Sequence, residues 1–377
     1  MEIRYVDDGA GMEAVASALA TADRIALDCE AAGYHRYSDR LCLLQIAAGS
    51  ATFLVDTLAV NPASDLRQAL EDPTVEVVMH GADFDIRLMH RDLGIGLAGL
   101  FDTQIAASLV GAKAIGLSAL LQDRLGIHLS KKFQKADWAE RPLSSGMREY
   151  AAEDTAHLLT LRSKLLRELE EKGRVAWAEE EFRELEKARF EEEPNQDPVT
   201  RLRAARDLEP REVARLREAL AWRDGIAQEQ DRALFRVAGD AVLLQIARES
   251  PGNVRELEQI PGMSERLARR SGEELLERLR KVDRAPDGEM RGYPRIPRGN
   301  GSGRRLGPEV EVRLGRLKAV RNARAAELGL DKGTLLPNSV LQLLAETPPS
   351  SIEDIGRVPG IRRWQAGLLA QDLLDAP

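Results

Sequence analysis

Arg24-Ile-Ala-Leu-Asp-Cys-Glu30 is the stretch that decides the fold of the first half of this chain. Ile25, Ala26 and Leu27 form a continuous apolar run, which predicts a central strand of an α/β sheet. Asp28 and Glu30 close that run. Residues two apart on a strand point to one face, so the two carboxylates converge on one spot and Cys29 is expected to turn into the core. By itself an Asp-x-Glu is ordinary alternation at a strand end. At the end of a central strand two charges need a partner, and a cation is the obvious one.

Outward from this strand the pattern stays α/β. Met12 to Ala20 has helical period, while Leu41-Cys-Leu-Leu-Gln-Ile46 and Thr52-Phe-Leu-Val-Asp56 stand at hairpin spacing. Val75 to Met79 is a further strand, entered after an Asp72-Pro73 turn. From about residue 83 the period becomes helical: Phe84, Leu88 and Met89 share a face, as do Ile105, Leu109 and Val110. Residues 144–172 predict one long helix with a second, acidic one after it. Pro194 and Pro198 then break the pattern, which puts an α/β domain at 1–195.

Past residue 207 the texture is all-helical and repeats. A shift of 98 positions lays Arg223 on Arg321, Val242 on Val340, Leu243 on Leu341, Ile246 on Leu344 and Ile260-Pro-Gly-Met263 on Val358-Pro-Gly-Ile361. The register holds without a gap, which predicts a duplicated helical module at 208–281 and 306–377. The intervening 282–305 is rich in Gly, Pro and Arg and reads as a mobile linker. The Val358-Pro-Gly-Ile361 type of loop is a helix-starting turn, or one that offers backbone N–H groups to phosphate.

The 377 residues, 43% hydrophobic and 31% charged, suit a soluble chain of two or three domains. The net charge of -8 is uneven: residues 1–200 hold 22 basic and 35 acidic side chains, and residues 201–377 hold 32 and 27. The second half could therefore hold a polyanion. Two cysteines, Cys29 and Cys42, make neither a disulfide framework nor a zinc spacing. No apolar run approaches membrane length, and the first residues do not read as a signal peptide. A cytoplasmic monomer is the expectation. Gly94-Ile-Gly-Leu-Ala-Gly99 matches a dinucleotide fingerprint as a string but follows a helical stretch, so it predicts no nucleotide cofactor. The five histidines have no metal-ligand spacing.

Two further acidic segments join the first. Asp85 closes His80-Gly-Ala-Asp-Phe-Asp85 near a helix start, where an acid also has an ordinary role beside the helix dipole. Tyr150 and Asp154 in Tyr150-Ala-Ala-Glu-Asp154 are four apart on a helix and share a face. Carboxylates on three elements suit hard divalent cations, Mg²⁺ or Mn²⁺, and two such ions about 4 Å apart can serve an in-line phosphodiester displacement. Tyr150, with an ordinary pKa of about 10, is cast as a group that orients the attacking water.

The three segments resemble the exonuclease motifs of the DEDD superfamily of 3′–5′ exonucleases, and the Tyr-x-x-x-Asp form resembles its tyrosine branch. Leu41 to Ile46, Phe101-Asp-Thr-Gln-Ile105 and Lys132-x-x-x-Lys135-Ala-Asp-Trp138-x-x-Arg141-Pro-Leu143 are similar to the ribonuclease D family, and each helical module is similar to the helicase-and-RNase-D C-terminal (HRDC) domain. The resemblance implies a ribonuclease H-like α/β exonuclease domain, a mixed sheet flanked by helices, followed by two helical bundles. It implies that Asp28, Glu30, Asp85 and Asp154 ligate two metal ions and that Tyr150 positions water. It further implies contacts of the terminal nucleotide near Tyr34, His80 and Phe84. Lys131, Lys132 and Lys135 form a small basic cluster before Asp137-Trp138, which is either a solvated loop or a contact with substrate phosphates. His80 and Cys29 stand where the family often has Asn and Thr. The implied activity is removal of RNA 3′ nucleotides as 5′-monophosphates, in the processing of transfer RNA precursors. A DNA exonuclease on the same fold and a non-catalytic nucleic-acid scaffold are the alternatives, and the four intact carboxylates argue against the scaffold.

Overall fold

The computed structural model describes residues 2–192, 196–294 and 306–376. Its first part is a six-stranded mixed sheet. In chain order it runs β1 (Glu2–Val6), α1 (Gly9–Leu19), β2 (Arg24–Ala31), β3 (Leu41–Ala48), β4 (Ala51–Asp56), α2 (Ala63–Leu70), β5 (Glu76–Met79), α3 (Asp83–Leu93), β6 (Leu100–Asp102) and α4 (Thr103–Val110). Then come α5 (Leu117–Leu125), α6 (Ser145–Ala156), α7 (Leu158–Glu171) and α8 (Val175–Leu185). The strand order is β1-β4-β3-β2-β5-β6, so β2 is central as expected. β3 and β4 form the antiparallel hairpin, turned at Gly49 with its φ of 60°. β5 pairs in parallel with both β2 and β6, and β1 pairs in parallel with β4. Ile25, Ala26 and Leu27 are fully buried, like Leu43, Leu44 and Ile46 of β3. Burying each Leu or Ile contributes roughly 1.5–3 kcal/mol.

Several expectations change here. β1 and β6 are strands beyond those read from the sequence. The long helix over 144–172 is two helices, α6 and α7, which meet at His157 with its φ of −112°. Cys29 stays partly exposed instead of entering the core. Phe84 does not share the buried face of Leu88 and Met89, being 52% exposed. Gly94 and Gly99 serve backbone geometry. Gly94 ends α3 in the left-handed region, and a Cβ on Gly99 would meet the Val75 carbonyl at 2.3 Å.

The first helical module comprises α9 (Pro210–Glu229), α10 (Leu234–Val237), α11 (Asp240–Glu249), α12 (Val254–Gln259) and α13 (Glu265–Arg284). A capping box between Glu209 and Glu212 and a proline in the first turn start α9. Asn253 and Ser264 cap α12 and α13. Trp222, Leu216, Leu243, Ile246 and Leu275 fill its core. The second module repeats this with α14 (Pro308–Leu328), α15 (Lys332–Leu335), α16 (Asn338–Glu346), α17 (Ile352–Gly356) and α18 (Arg363–Leu374).

The 98-residue register is written into the bonding. Buried Arg223 donates to the Ala238 carbonyl and Asp240, and buried Arg321 donates to the Leu336 carbonyl and Asn338. Gly262 and Gly360 have φ of 85° and 88°, and a Cβ on either would press on the equivalent Val242 or Val340.

The chain divides into two compact units: residues 1–30, 41–190 and 298–377, and residues 31–40 with 191–297. In the first, the second module is held to the exonuclease fold by α8. Trp177 stacks on Trp364 at 4.7 Å, Glu180 accepts from the N–H groups of Arg363 and Trp364, and Glu181 accepts from Arg362 and from Trp364 Nε1. In the second, segment 31–40 is held by the first module: Tyr37 donates to Asp224, Arg40 pairs with Asp231, and Ala233 N–H donates to the His35 carbonyl.

The expected linker 282–305 differs from a mobile strand of chain where it is described. Residues 282–284 complete α13. Arg211 then donates to the carbonyls of Val282, Asp283 and Ala285, and Arg217 donates to that of Gly292. Residues 295–305 lie outside the described residues.

Candidate active site

β2 presents Asp28 and Glu30, and α6 presents Tyr150 and Asp154 from the same turn-to-turn face. Carboxylate oxygens of Asp28, Glu30 and Asp154 all lie within 4.8 Å of one another. Asp85, the third residue of α3, is buried and stands outside that trio, yet its charge acts on Asp28, Cys29 and Glu30. Thus all four acids called from the sequence face one region, three in mutual ligand range.

Local structure explains their placement. Gly81, at φ 69°, lets the chain turn from β5 into α3. Fully buried Asp102 then fixes that turn: one oxygen accepts from Ala82 N–H at 2.8 Å, and the other caps α4 through the N–H groups of Gln104 and Ile105. The Thr103 hydroxyl donates to the Met79 carbonyl, so His80 Nδ1, 2.9 Å away, donates to the hydroxyl. His80 is thereby tied to α4, and burial holds its pKa below the ordinary value. Ser144 caps α6 and sets the helical phase of Tyr150 and Asp154.

The electrostatics point to a missing positive charge. Among the described residues none of the four acids pairs with Lys or Arg. Burial, then the charge of Asp28, pushes Glu30 up to about 10. Burial and Asp28 push Asp154 up to about 8, and burial with Asp102 pushes Asp85 up to about 7. Asp28 rises well above the carboxylate range through burial and Asp85. Buried and half-buried oxygen ligands without a counter-charge fit a hard divalent cation.

Burial and the charges of Asp154, Glu30 and Asp28 hold the Tyr150 phenol well above 10. It stays protonated beside the Asp154 carboxyl. Its ring lies 6.1 Å from Trp138 and 6.2 Å from Phe133. Both belong to a loop over 131–143 that Arg141 anchors. Arg141 makes two bonds to Asp56, at 2.5 and 2.7 Å, and donates to the carbonyls of Trp138, Glu140 and Cys42. Tyr5 adds a 2.5 Å bond to the same Asp56. Burial pushes Asp56 up, but the bonds from Arg141 and Tyr5 outweigh it and hold the carboxyl below its ordinary value.

Of the expected substrate contacts, Lys132 is exposed with its ammonium 5.2 Å from the Phe133 ring, Lys135 is exposed on the same loop, and Phe84 is exposed one residue before Asp85. Tyr34 belongs to segment 31–40 of the other unit, where its ring packs on Phe235. The sequence reading gave no role to Asp102, Thr103, Asp56, Tyr5 or Phe133. Asp102 and Thr103, in Phe101-Asp-Thr-Gln-Ile105, carried a signal only as part of that motif, and so did Trp138 and Arg141 in theirs.

Comparisons with known proteins bear on the family and the fold. A family model described as 3′–5′ exonuclease matches residues 3–170, and an HRDC domain model matches residues 212–279 and 310–376. A ribonuclease D of Pseudomonas paraeruginosa is 30% identical over 380 residues, covering 100% of this chain and 97% of its own. A ribonuclease D of Granulibacter bethesdensis is 32% identical over 360 residues, covering 93% and 86%. The crystal structure of Escherichia coli RNase D, described as an exoribonuclease involved in structured RNA processing, superposes with a TM-score of 0.70 at 25% identity, covering 99% of this chain and 98% of that one.

Proposed function

We propose, for a chain that belongs to the ribonuclease D family and is a 3′–5′ exoribonuclease, that Asp28, Glu30, Asp85 and Asp154 hold two divalent ions, Mg²⁺ or Mn²⁺, at which RNA 3′ ends are trimmed one nucleotide at a time. The observation that carries this reading is the trio of half-buried carboxylates within 4.8 Å of one another, without a basic partner among the described residues. Bound divalent cations supply the Lewis acidity and charge neutralisation that phosphodiester hydrolysis needs.

The chain's own groups do the rest. Bound cations would favour the ionised form of the four carboxylates, whose pKa values burial first and neighbouring acids second hold up. Tyr150 keeps its proton at neutral pH, so it acts by orienting water with its hydroxyl and not as the base. Trp138 and Phe133 hold its ring, and Arg141 with Asp56 holds that loop. The exposed Phe84 ring suits stacking on the terminal base, and Lys132 and Lys135 suit its phosphates. His80 Nδ1 is engaged with Thr103, which leaves Nε2 as an acceptor for a substrate hydroxyl. The products are 5′-monophosphates, and the substrates are transfer RNA precursors and other structured RNA 3′ ends; the structured RNA processing named for the Escherichia coli neighbour supports the latter.

The test uses a 5′-labelled RNA and its DNA counterpart with Mg²⁺, Mn²⁺ or chelator. A ladder descending by single nucleotides on RNA, absent with chelator, is the expected result. Digestion of DNA alone, or of RNA in chelator, contradicts the reading.

A further inference from the structure

We propose that the second helical module and the exonuclease fold share a binding site for a neutral purine base, in the cavity that α4, α8, α15 and α18 line together. The inference goes beyond phosphodiester cleavage and uses none of the four carboxylates.

The cavity has a volume of about 250 Å³, and Gln104, Ile105, Leu109, Thr334, Pro337 and Gln365 are among its walls. Its available polar groups are neutral. Gln365 is only 4% exposed; its Oε1 accepts from the Arg362 N–H at 2.8 Å, and its Nε2 has no acceptor among the described residues. A buried amide donor on a cavity wall without an acceptor marks a place for a ligand atom. The Gln104 amide and the Thr334 hydroxyl are likewise without a hydrogen-bond partner among the described residues.

The charged groups of the wall are occupied with each other. Arg362 Nε donates to one Glu181 oxygen at 3.1 Å, and the other accepts from Trp364 Nε1 at 2.9 Å. The first N–H groups of α18 are taken by Glu180, at 2.7 and 3.1 Å. The 98-residue register adds an independent observation. Leu330, Thr334, Trp364 and Leu368 stand where the first module has Arg232, Arg236, Arg266 and Arg270. This corner of the second module has exchanged four cations for neutral side chains, so it offers no fork for a phosphate.

A purine base suits what remains. Ile105, Leu109 and Pro337 give apolar sides for a flat ring. Amide side chains pair with a base edge that sets a donor beside an acceptor, as N6 and N7 of adenine do. A purely aliphatic ligand would leave three polar side chains unpaired, which counts against it. Gln104 also marks where the site lies: a Cβ on Gly81, in the turn before Asp85, would meet its amide at 3.3 Å. The site therefore adjoins that turn without sharing a residue with the carboxylates.

The experiment is calorimetric titration of the full chain with adenosine, in chelator. Saturable binding at one site is expected. Adenosine 5′-monophosphate should bind equally well at low and at high salt, because no phosphate contact is made. Uridine, lacking the second ring, should bind about tenfold more weakly. Thr334→Val keeps the shape and should weaken adenosine binding about fivefold, and Gln365→Leu about tenfold. Thr334→Val carries the test by itself if Gln365→Leu melts early. An oligoadenylate that adenosine displaces supports the site with RNA as the source of the base; one that leaves adenosine bound supports it with free nucleoside as the source. A parent that binds no adenosine, or binding unchanged in Thr334→Val and Gln365→Leu, overturns the proposal. So does a preference for the monophosphate that salt abolishes, since the anchor is then a cation. Uridine bound as tightly as adenosine overturns the purine assignment. Mg²⁺-dependent hydrolysis of a dinucleotide is measured alongside and is expected to be equal in parent and Thr334→Val. Its absence from the parent would sink the exoribonuclease reading alone, since binding is measured without metal.

Discussion

Replacing Asp154 by Asn separates the cost of the metal-free carboxylate cluster from its use. In the metal-free fold Asp154 is held at about 8 by burial and by Asp28, against an ordinary 3.8. A raised carboxyl binds its proton more tightly folded than unfolded. Its destabilising effect is therefore absent below about pH 4, grows as the pH rises, and is complete above about pH 8. At pH 7 the linkage for this one group has an upper limit of about 4 kcal/mol. The acids share one field, so removing one charge relieves part of it, and about 1–2 kcal/mol is expected.

Asp154→Asn should thus melt higher than the parent in chelator at pH 7, by about 3–6 °C, and identically at pH 4. Mg²⁺ should reverse the order. At a hundredfold excess over its dissociation constant a ligand adds about 2.7 kcal/mol to the fold that binds it, and the variant has lost a ligand. The assay is thermal melting with and without Mg²⁺ at both pH values, beside single-turnover RNA cleavage, which the variant should lose. A variant less stable than the parent in chelator at pH 7, or stabilised equally by Mg²⁺, refutes the reasoning.

Tyr150→Phe should lower kcat about 10²-fold with KM for RNA nearly unchanged, because the hydroxyl orients water without anchoring the chain; steady-state kinetics separate the two. Arg141→Met leaves the Asp56 carboxyl, only 4% exposed, without its cation. It should cost about 2–4 kcal/mol in denaturant unfolding and slow turnover by loosening the loop under Tyr150. The parent's stabilisation from Asp56, whose pKa is depressed, is present above its ordinary value of 3.8 and lost as the pH falls through the lower folded value. The gap between parent and Arg141→Met should accordingly shrink in acid. Trp364→Ala removes the ring stacked on Trp177 and should destabilise the unit containing α8 and α18 by about 3 kcal/mol, read as a lowered melting transition.

Elements with a strong local period were legible. The apolar run at Ile25 to Leu27 placed Asp28 and Glu30, and the four-residue spacing placed Tyr150 with Asp154. The gapless 98-residue register found the duplicated module, down to the buried Arg223 and Arg321. What escaped depends on distant partners. β1 and β6 are short and take their strand form from β4 and β5, which no local pattern announces. Phe84 fits the apolar period of α3 yet faces outward. The segment after α13 has the composition of a linker, but Arg211 and Arg217 bond its carbonyls, and bonds to backbone leave no trace in composition. The roles of Asp56 and Asp102 were equally silent, because each acts through a partner that only the tertiary fold brings near.

Diffraction from crystals soaked in Mn²⁺, collected for its anomalous signal, tests the metal site most directly. The account predicts peaks within coordination distance of the carboxylate oxygens of Asp28, Glu30 and Asp154, with Asp85 joining one of them. Density for manganese elsewhere on the chain, with these oxygens bare at saturating Mn²⁺, would contradict it.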